Sequence, residues 1–178
     1  MSDTLPLPAA TSSLSPPPDR WAQVRVAERV TRYVRRGAGH PVLLLREQRD
    51  ESPLWPALVD ALAAHHRVIL PETPEGGAGW SAWVRGFIDG VGCLPVTLIA
   101  AGEFCLPALE LALLDTDRLA RLVLVPCGGA DETGLTGALA TRPRARALPV
   151  LVVRRESPAG EAVAMVEEFI AGALGGFN

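Results

Sequence analysis

Apolar and polar positions along the chain follow two different periods, and this pattern predicts strands that alternate with helices. Short runs with partial alternation predict two strands, over residues 21–26 and 29–34. A continuous apolar run over residues 41–45 predicts a strand buried on both faces, and further apolar runs predict strands over residues 67–70, 95–100, 119–125 and 149–153. Apolar residues at helical spacing predict four helices, over residues 53–66, 80–91, 103–114 and 158–174.

The order of these elements predicts the fold class. Strands alternate with helices from residue 41 onward, which indicates an α/β protein with a mostly parallel central sheet and helices on both faces. The two strands before the first helix predict an antiparallel start. Residues 71–79 predict a Gly- and Pro-rich loop, and residues 128–147 carry mixed signals. We therefore expect a single domain over residues 21–178.

The first 20 residues differ from the rest of the chain in composition. They are rich in Pro, Ser, Thr and Ala and include Pro16-Pro17-Pro18. Such a segment buries too little apolar surface to offset the entropy lost on ordering. Two hypotheses stay open for it. It is either a flexible tail or an arm that lies on a partner or on a second copy of the chain.

Charge and composition narrow the classes of function. The 17 basic and 20 acidic residues give a formal net charge of −3, which does not suggest a nucleic-acid binder. No segment reaches the ~18 apolar residues of a membrane span, and no signal peptide is visible, so we expect a cytoplasmic protein. Cys93, Cys105 and Cys127 are scattered and odd in number, which indicates neither a disulfide framework nor a metal site. We expect no cofactor.

Several segments, taken in order, resemble the α/β-hydrolase family. Residues 32–45 are similar to that family's opening hairpin and third strand, and residues 55–71 to its first helix and fourth strand. An acidic residue and a Pro-Gly-rich turn come next in the family, and Glu72-Thr73-Pro74-Glu75-Gly76-Gly77 takes their place here. Residues 98–125 match the strand, helix and strand around the nucleophile. The resemblance covers about residues 22–155. It implies a reduced lid, since only residues 126–148 lie where the family carries one, and a reduced C-terminus.

The resemblance also implies a catalytic nucleophile, and the matching position does not supply one. In the family, the nucleophile stands on a strained strand-to-helix turn of the form G-x-S-x-G. The corresponding stretch here is Ala100-Ala101-Gly102-Glu103-Phe104. Gly102 therefore takes the nucleophile position and has no side chain, and the bulky Phe104 takes the second small position.

The other catalytic parts that the resemblance implies are altered as well. Arg46-Glu47 stands where a His-Gly pair supplies the second oxyanion donor. Glu156 is the only acid near the position of the family's catalytic acid. No histidine follows His66, so no late imidazole base is present in the sequence. Cys105 and Ser81 are the remaining candidate nucleophiles, and neither has a base nearby in sequence.

Charged residues follow the predicted strands at the edge where an α/β sheet carries its functional crevice. We expect a remnant cleft whose binding residues are Arg46, Glu47, Glu72, Glu103, Arg154 and Arg155. Two hypotheses stay open for these charges: Glu103 pairs with Arg46 or Arg154 and fills the cleft, or the charges are solvated separately. The adjacent His65 and His66 are expected to end the first helix, where neighbouring residues face different ways and hold no metal together.

These observations favour a noncatalytic accessory or scaffold protein that acts through protein–protein contacts, including self-association as a homo-oligomer. The strand from Pro149 to Val153 is expected to be a sheet edge, because the family's final strand is not found after it. Exposed edges pair readily with other chains, and the N-terminal arm is a second candidate contact. Two alternatives stay open. The protein is a binder of small acyl or anionic ligands in the remnant cleft, or it is an unconventional esterase or thioesterase.

Overall fold

A seven-stranded sheet organises the part of the protein that the structure describes. In the computed structural model, residues 19–74, 79–126, 148–154 and 157–172 are described. The strands are β1 Arg20–Val26, β2 Arg29–Arg36, β3 His40–Leu45, β4 His66–Pro71, β5 Val96–Ala101, β6 Leu119–Val125 and β7 Val150–Val152. The α-helices in these ranges are α1 Leu54–Ala63, α2 Trp80–Val91, α3 Cys105–Leu114 and α4 Ala159–Ala171. Short 3₁₀ turns at Gly102–Phe104 and Thr116–Arg118 precede α3 and β6.

The strand order combines an antiparallel ribbon with a parallel sheet. The order is β1-β2-β4-β3-β5-β6-β7. β2 pairs antiparallel with both β1 and β4, and every other neighbouring pair is parallel. The predicted fold class, with an antiparallel start and a mostly parallel remainder, is confirmed.

Two apolar layers hold the helices on the sheet. α2 and α3 cover one face, where Phe87 and Leu109 are buried against strand residues such as Leu98. α1 and α4 cover the other face, where Leu58 and Val166 belong to the second apolar cluster. Burying one such large apolar side chain contributes about 1.5–3 kcal/mol. The central strands β3 and β5 are buried on both faces, as their continuous apolar runs predict.

The connection from α1 to β4 differs from the sequence prediction. The helix ends at Ala63 and β4 begins at His66, so His66 is a strand residue rather than part of a helix end. The turn before β3 packs tightly on this connection, and a Cβ at Gly37 would lie only 2.2 Å from the His66 carbonyl oxygen. Glycine at position 37 therefore lets the turn and the connection approach each other closely.

The chain ends differ slightly from the predicted boundaries. β1 begins at Arg20, one residue earlier than predicted, and the Asp19 carboxylate before it lies 2.7 Å from Nε of Arg36 on β2. The rest of the predicted arm, the segment 127–147, and Arg155 lie outside the described residues. None of the helices within the described ranges has the length and apolar character needed to cross a membrane.

Candidate functional site

The turn that follows β5 is the point where the predicted nucleophile position falls. β5 ends at Ala101, and the chain enters the 3₁₀ turn and α3 without an intervening loop. Gly102 opens this turn with a φ of +55°, in the left-handed region that side chains disfavour. The backbone therefore has the sharp bend expected of this position, and the buried residue on it offers only hydrogen.

An aromatic stack fills the space beside this turn. The ring of Phe104, which is 1% exposed, stacks on Trp80 at the start of α2 with ring centroids 4.2 Å apart. Such a pair contributes about 0.5–1.5 kcal/mol beyond the area it buries. The bulky residue at the second small position is thus accommodated by the apolar layer under α2.

The two alternative nucleophiles are both held in packing contacts. The Cys105 thiol is buried and donates a hydrogen bond of 3.3 Å to the Ala100 carbonyl. The Ser81 hydroxyl donates to the carboxylate of Glu110 on α3, so it faces the neighbouring helix. Neither contact provides the imidazole that activates a hydroxyl or thiol.

Arg46 holds the loop after β3. Its Nη1 donates to the carbonyl oxygens of Glu47 and Asp50, at 3.1 and 2.9 Å. The ion pair expected between Glu103 and Arg46 or Arg154 is not found among the described residues. Arg46 instead satisfies its guanidinium on nearby backbone carbonyls, so it does not fill the predicted cleft by pairing with Glu103.

Glu47 and Glu103 follow the carboxyl ends of β3 and β5, and their side chains interact electrostatically. Desolvation at this edge, and secondly the negative charge of Glu47, raise the pKa of Glu103. The oxyanion of an acyl-transfer intermediate requires hydrogen-bond donors at such a place. This pair of acids presents negative charge there.

The remaining predicted cleft residues lie apart from this pair. Glu72 follows β4, and its carboxylate lies 3.9 Å from Nη1 of Arg32 on β2. Both side chains are exposed, so the ion pair contributes little to stability. Arg154 is exposed and forms no ion pair with any residue in the described ranges. Of the predicted set, the charge of Glu47 acts on Glu103, and the structure places Arg46 and Glu72 on one groove.

That groove consists of two adjoining cavities of about 520 and 280 Å³ beside the ends of β2 and β4. Both cavities are lined by Val34, Arg46, Gln48 and Leu70. Trp55 of α1 lines the larger cavity, and Trp21 and Glu72 line the smaller one. The groove thus combines apolar walls with a few polar groups, which is the usual composition of a small-ligand site.

A polar row that was not predicted from the sequence crosses the opposite edge of the sheet. It consists of His66, His40, Thr97 and Arg121, on β4, β3, β5 and β6. The strand register places His40 beside His66, and Thr97 beside Arg121. A hydrogen bond of 3.2 Å joins Nε2 of His40 and Oγ1 of Thr97. The row lies near the amino ends of the parallel strands, on the face that α1 and α4 cover.

The electrostatics of this polar row are dominated by positive charge. Burial, followed by the charges of His66, Arg121 and Arg67, lowers the pKa of His40. The pKa of His66 is also lowered, first by burial and then by His65 and Arg121, while Glu167 on α4 acts in the opposite direction. Burial lowers the pKa of Arg121, which is 5% exposed.

A sequence signal for this row does exist. Thr97 and Arg121 interrupt strand segments that are otherwise apolar, and His40 and His66 stand where two further strands begin. A charged residue inside a buried strand is rare unless it has a partner. Within the described ranges, no group of three or more His, Cys, Asp or Glu side chains is arranged to hold a metal ion.

Comparisons with known proteins identify the fold. No protein-family model matches the sequence, and no curated protein sequence matches it either. Among solved structures, a predicted CIB-like hydrolase from Thermoplasma acidophilum superposes with a TM-score of 0.62 at 11% identity. That match covers 86% of this chain and 98% of the other.

Epoxide hydrolases are also similar. One from Vigna radiata has a TM-score of 0.52 at 20% identity, covering 60% of this chain and 38% of its own. The epoxide hydrolase CorEH has a TM-score of 0.52 at 22% identity, covering 61% and 42%. The match therefore spans less than half of these enzymes' length. Together with the sheet order, these likenesses show that the chain has an α/β-hydrolase fold.

Proposed function

We propose that this protein is a noncatalytic member of the α/β-hydrolase fold class and acts as an accessory or scaffold protein through contacts with other chains. The observation that carries the proposal is the turn after β5. There Gly102 has the left-handed φ of +55° of a strained turn but no atom that can attack a substrate.

Charge and sequence at the other catalytic positions support a noncatalytic role. The carboxylates of Glu47 and Glu103 place negative charge at the carboxyl ends of β3 and β5, where a developing oxyanion needs donors. No histidine occurs after His66 in the sequence. His40 on β3 and His66 on β4 both lie at the opposite edge of the sheet. A hydroxyl or thiol nucleophile at the turn thus has no imidazole base within this architecture.

The proposed contact surface is the free edge of β7. Within the described ranges β7 pairs only with β6, and Val152 is 41% exposed. No described residue pairs with its other edge, whose backbone groups can therefore accept a strand from a second copy or a different protein. The N-terminal arm is proposed as a second contact on the basis of its composition.

A second candidate function is the binding of a small acyl or anionic ligand. The groove of about 520 and 280 Å³ beside β4 favours it, because apolar Val34 and Leu70 line both cavities together with Arg46. An acyl chain would contact the apolar walls, and an anionic group would contact the guanidinium.

The noncatalytic proposal is tested with purified full-length protein. We expect no turnover of p-nitrophenyl acetate or butyrate above the rate with heat-denatured protein, and no covalent labelling by a fluorophosphonate probe. An active serine esterase in parallel shows that the reagents work. Turnover that disappears in Ser81→Ala or Cys105→Ala would contradict the proposal and identify the nucleophile.

Thermal-shift screening distinguishes a protein-binding scaffold from a binder of small ligands. A ligand that binds the native state raises the apparent melting temperature, so fatty acids and acyl thioesters should leave it unchanged if the groove has no ligand-binding function. If a ligand does raise it and Leu70→Gln removes the effect, the groove is the site. Affinity purification from the native host, followed by mass spectrometry, then tests for a protein partner.

A further inference from the structure

We propose that the polar row of His66, His40, Thr97 and Arg121 binds a phosphate-like oxyanion at the amino-terminal edge of the sheet. This edge lies opposite Gly102 and the groove, so the site is separate from those of the proposed function. The central residue of the site is Arg121, a charged residue within the buried strand β6.

The Arg121 side chain is buried with an unsatisfied donor. Arg121 is 5% exposed, and its buried Nε has no hydrogen-bond partner. No ion pair joins it to any acid in the described ranges. Buried guanidinium groups are normally paired and hydrogen-bonded, because leaving them unpaired is costly. An oxyanion on the guanidinium would supply the missing acceptor.

Further groups that are able to donate hydrogen bonds lie on the same row. Nδ1 of His66 is buried and also lacks a hydrogen-bond partner. Nε2 of His40 and Oγ1 of Thr97 share a hydrogen bond of 3.2 Å between these two groups. The register pairs His40 with His66 and Thr97 with Arg121. On β3 the direct partner of Thr97 is Val42, two residues after His40 on the same face, so the His40–Thr97 hydrogen bond joins the two pairs. A tetrahedral oxyanion has enough acceptor oxygens for a guanidinium fork and an imidazole at once.

The sign of the charge and the access to the row both fit an anion. The charged groups that act on the two imidazoles are Arg121, Arg67, His65 and Glu167, and only Glu167 is acidic. This surplus of positive charge disfavours a metal cation and favours an anion. His40 and His66 are half-buried, whereas Thr97 is fully buried, so the row opens to solvent at its histidine end.

The C-terminal ends of α1 and α4 offer an alternative explanation for the positive charges around the polar row. α1 is followed directly by β4, and Glu167 lies in the last turns of α4, so both helix ends approach this edge. Carbonyl groups at helix C-termini favour nearby cations without any ligand. That explanation leaves the orphaned Nε of Arg121 without a hydrogen-bond acceptor and Nδ1 of His66 without a partner. Measurements of phosphate binding separate the two explanations.

The test measures binding of inorganic phosphate to the full-length protein. We expect phosphate to raise the melting temperature in a saturable way at pH 7, relative to sodium chloride at equal ionic strength. Isothermal titration calorimetry should show binding that weakens about tenfold or more in Arg121→Met, which has similar bulk and no charge. Arg25→Met removes an exposed arginine of β1 and is the matched control, so it should bind like the wild type.

Thr97→Val provides a second variant in case Arg121→Met does not fold. It keeps the shape of the buried side chain and removes the hydroxyl, and it should also weaken phosphate binding. Circular dichroism of each variant confirms the fold. Equal effects of phosphate and chloride on the wild type would overturn the proposal. Equal phosphate binding by the wild type and by a folded Arg121→Met variant would do so as well.

Histidine resonances give a readout that needs no variant. The chain contains three histidines, so the ring signals can be assigned individually by NMR. Phosphate should shift the signals of His40 and His66 and leave those of the exposed His65 nearly unchanged. Shifts confined to His65, or none at all, would contradict the proposed site. None of these outcomes depends on whether the protein hydrolyses esters or binds a partner.

Discussion

At the scale of single residues, Gly102 combines two properties that determine what a side chain at this position would do. Its φ of +55° lies in the left-handed region, where a Cβ costs roughly 1–2 kcal/mol. It also leaves the turn without a nucleophilic atom. A serine at position 102 would therefore place a hydroxyl on a strained backbone, while His40 and His66 lie at the opposite edge of the sheet.

The left-handed backbone predicts the behaviour of Gly102→Ser. We expect this variant to lower the free energy of unfolding by about 1–2 kcal/mol, measured by urea denaturation, because of the positive φ. We also expect no gain in ester turnover. Gly160→Ser is the matched control, since Gly160 lies in α4 without a positive φ and an added Cβ there would meet no atom within 4 Å. A stable Gly102→Ser variant with turnover would show that another base serves this turn.

The lowered pKa values of His40 and His66 predict how stability depends on pH. In the unfolded chain each imidazole titrates near its ordinary value of 6.5, and in the folded protein it takes up its proton only at lower pH. Just below pH 6.5 the unfolded state therefore binds more protons than the folded state. The stabilisation is fully present above this pH and is lost as the pH falls from there toward the folded pKa values.

Urea denaturation at a series of pH values, from about 7.5 to about 5, checks this dependence. We expect the free energy of unfolding of the wild type to decline below pH 6.5, and the decline to be smaller in His40→Gln and His66→Gln. The exposed His65 gives the control variant His65→Gln. An undiminished decline in both test variants would show that other groups govern the acid sensitivity.

At the scale of elements, a close contact sets the distance between α2 and the β1–β2 ribbon. Two glycines one helical turn apart, Gly86 and Gly90, face β1. A Cβ at Gly90 would lie 2.5 Å from Cγ2 of Val24, and a Cβ at Gly86 would lie 2.9 Å from Cγ1 of Val26. Valine is stiff at this torsion, so it cannot easily move aside. The absence of a side chain at these positions lets the helix sit close to the strand.

The close contact between α2 and β1 predicts that a Gly→Ala substitution has different effects at Gly90 and at Gly160. Gly90→Ala should lower the free energy of unfolding by about 1–3 kcal/mol, because the overpacking exceeds the gain in helix propensity. Gly160→Ala on α4 meets no atom within 4 Å and should be neutral or stabilising by up to about 1 kcal/mol.

A double-mutant cycle isolates the cause of that loss. In a Val24→Ala background the methyl group that the new Cβ meets is absent, so Gly90→Ala should no longer destabilise. If the variant costs as much there as in the wild-type background, the clash with Val24 is not the reason. Thermal or urea unfolding of the four proteins provides the measurement.

The helices and strands were predictable from the sequence because their hydrophobic patterns are local. The polar row was not predictable, because it forms only through strand pairing. Continuous apolar runs identified β3 and β5, and the bend at Gly102 fell where the spacing put it. His66 was assigned to the wrong element because the end of α1 depends on the close approach of Gly37, which is distant in sequence. Arg121 becomes the neighbour of Thr97 only through strand pairing, which no local pattern contains.

At the scale of the whole molecule, the two edges of the sheet differ in their protection. The edge strand β1 carries Arg20 and Arg25, and charged side chains deter pairing with other chains. The sequence of β7 is Val-Leu-Val, with no charge. Its short length is the only protective feature that it has in the described ranges. The free edge of β7 is therefore the better candidate for self-association or partner binding.

The register of β7 allows this edge to be blocked without disturbing the sheet. The Val153 N–H donates to the Leu124 carbonyl and the Leu122 N–H donates to the Pro149 carbonyl, so the odd-numbered residues bond inward to β6. In a parallel pair the backbone groups of Val152 then point to the free edge. Val152→Pro removes an outward N–H and keeps the inner ladder, and proline is tolerated at edge strands.

We expect the wild type to associate with itself as its concentration rises, measured by light scattering coupled to size exclusion, or to capture a partner in a pull-down. Val152→Pro should reduce that association about tenfold or more, because it removes a strand-pairing donor, while its melting temperature stays within a few degrees. Val152→Thr keeps the N–H and the side-chain shape, so it should associate like the wild type. If the wild type stays monomeric at high concentration and captures nothing, or if Val152→Pro associates as well as Val152→Thr, the contact does not use this edge.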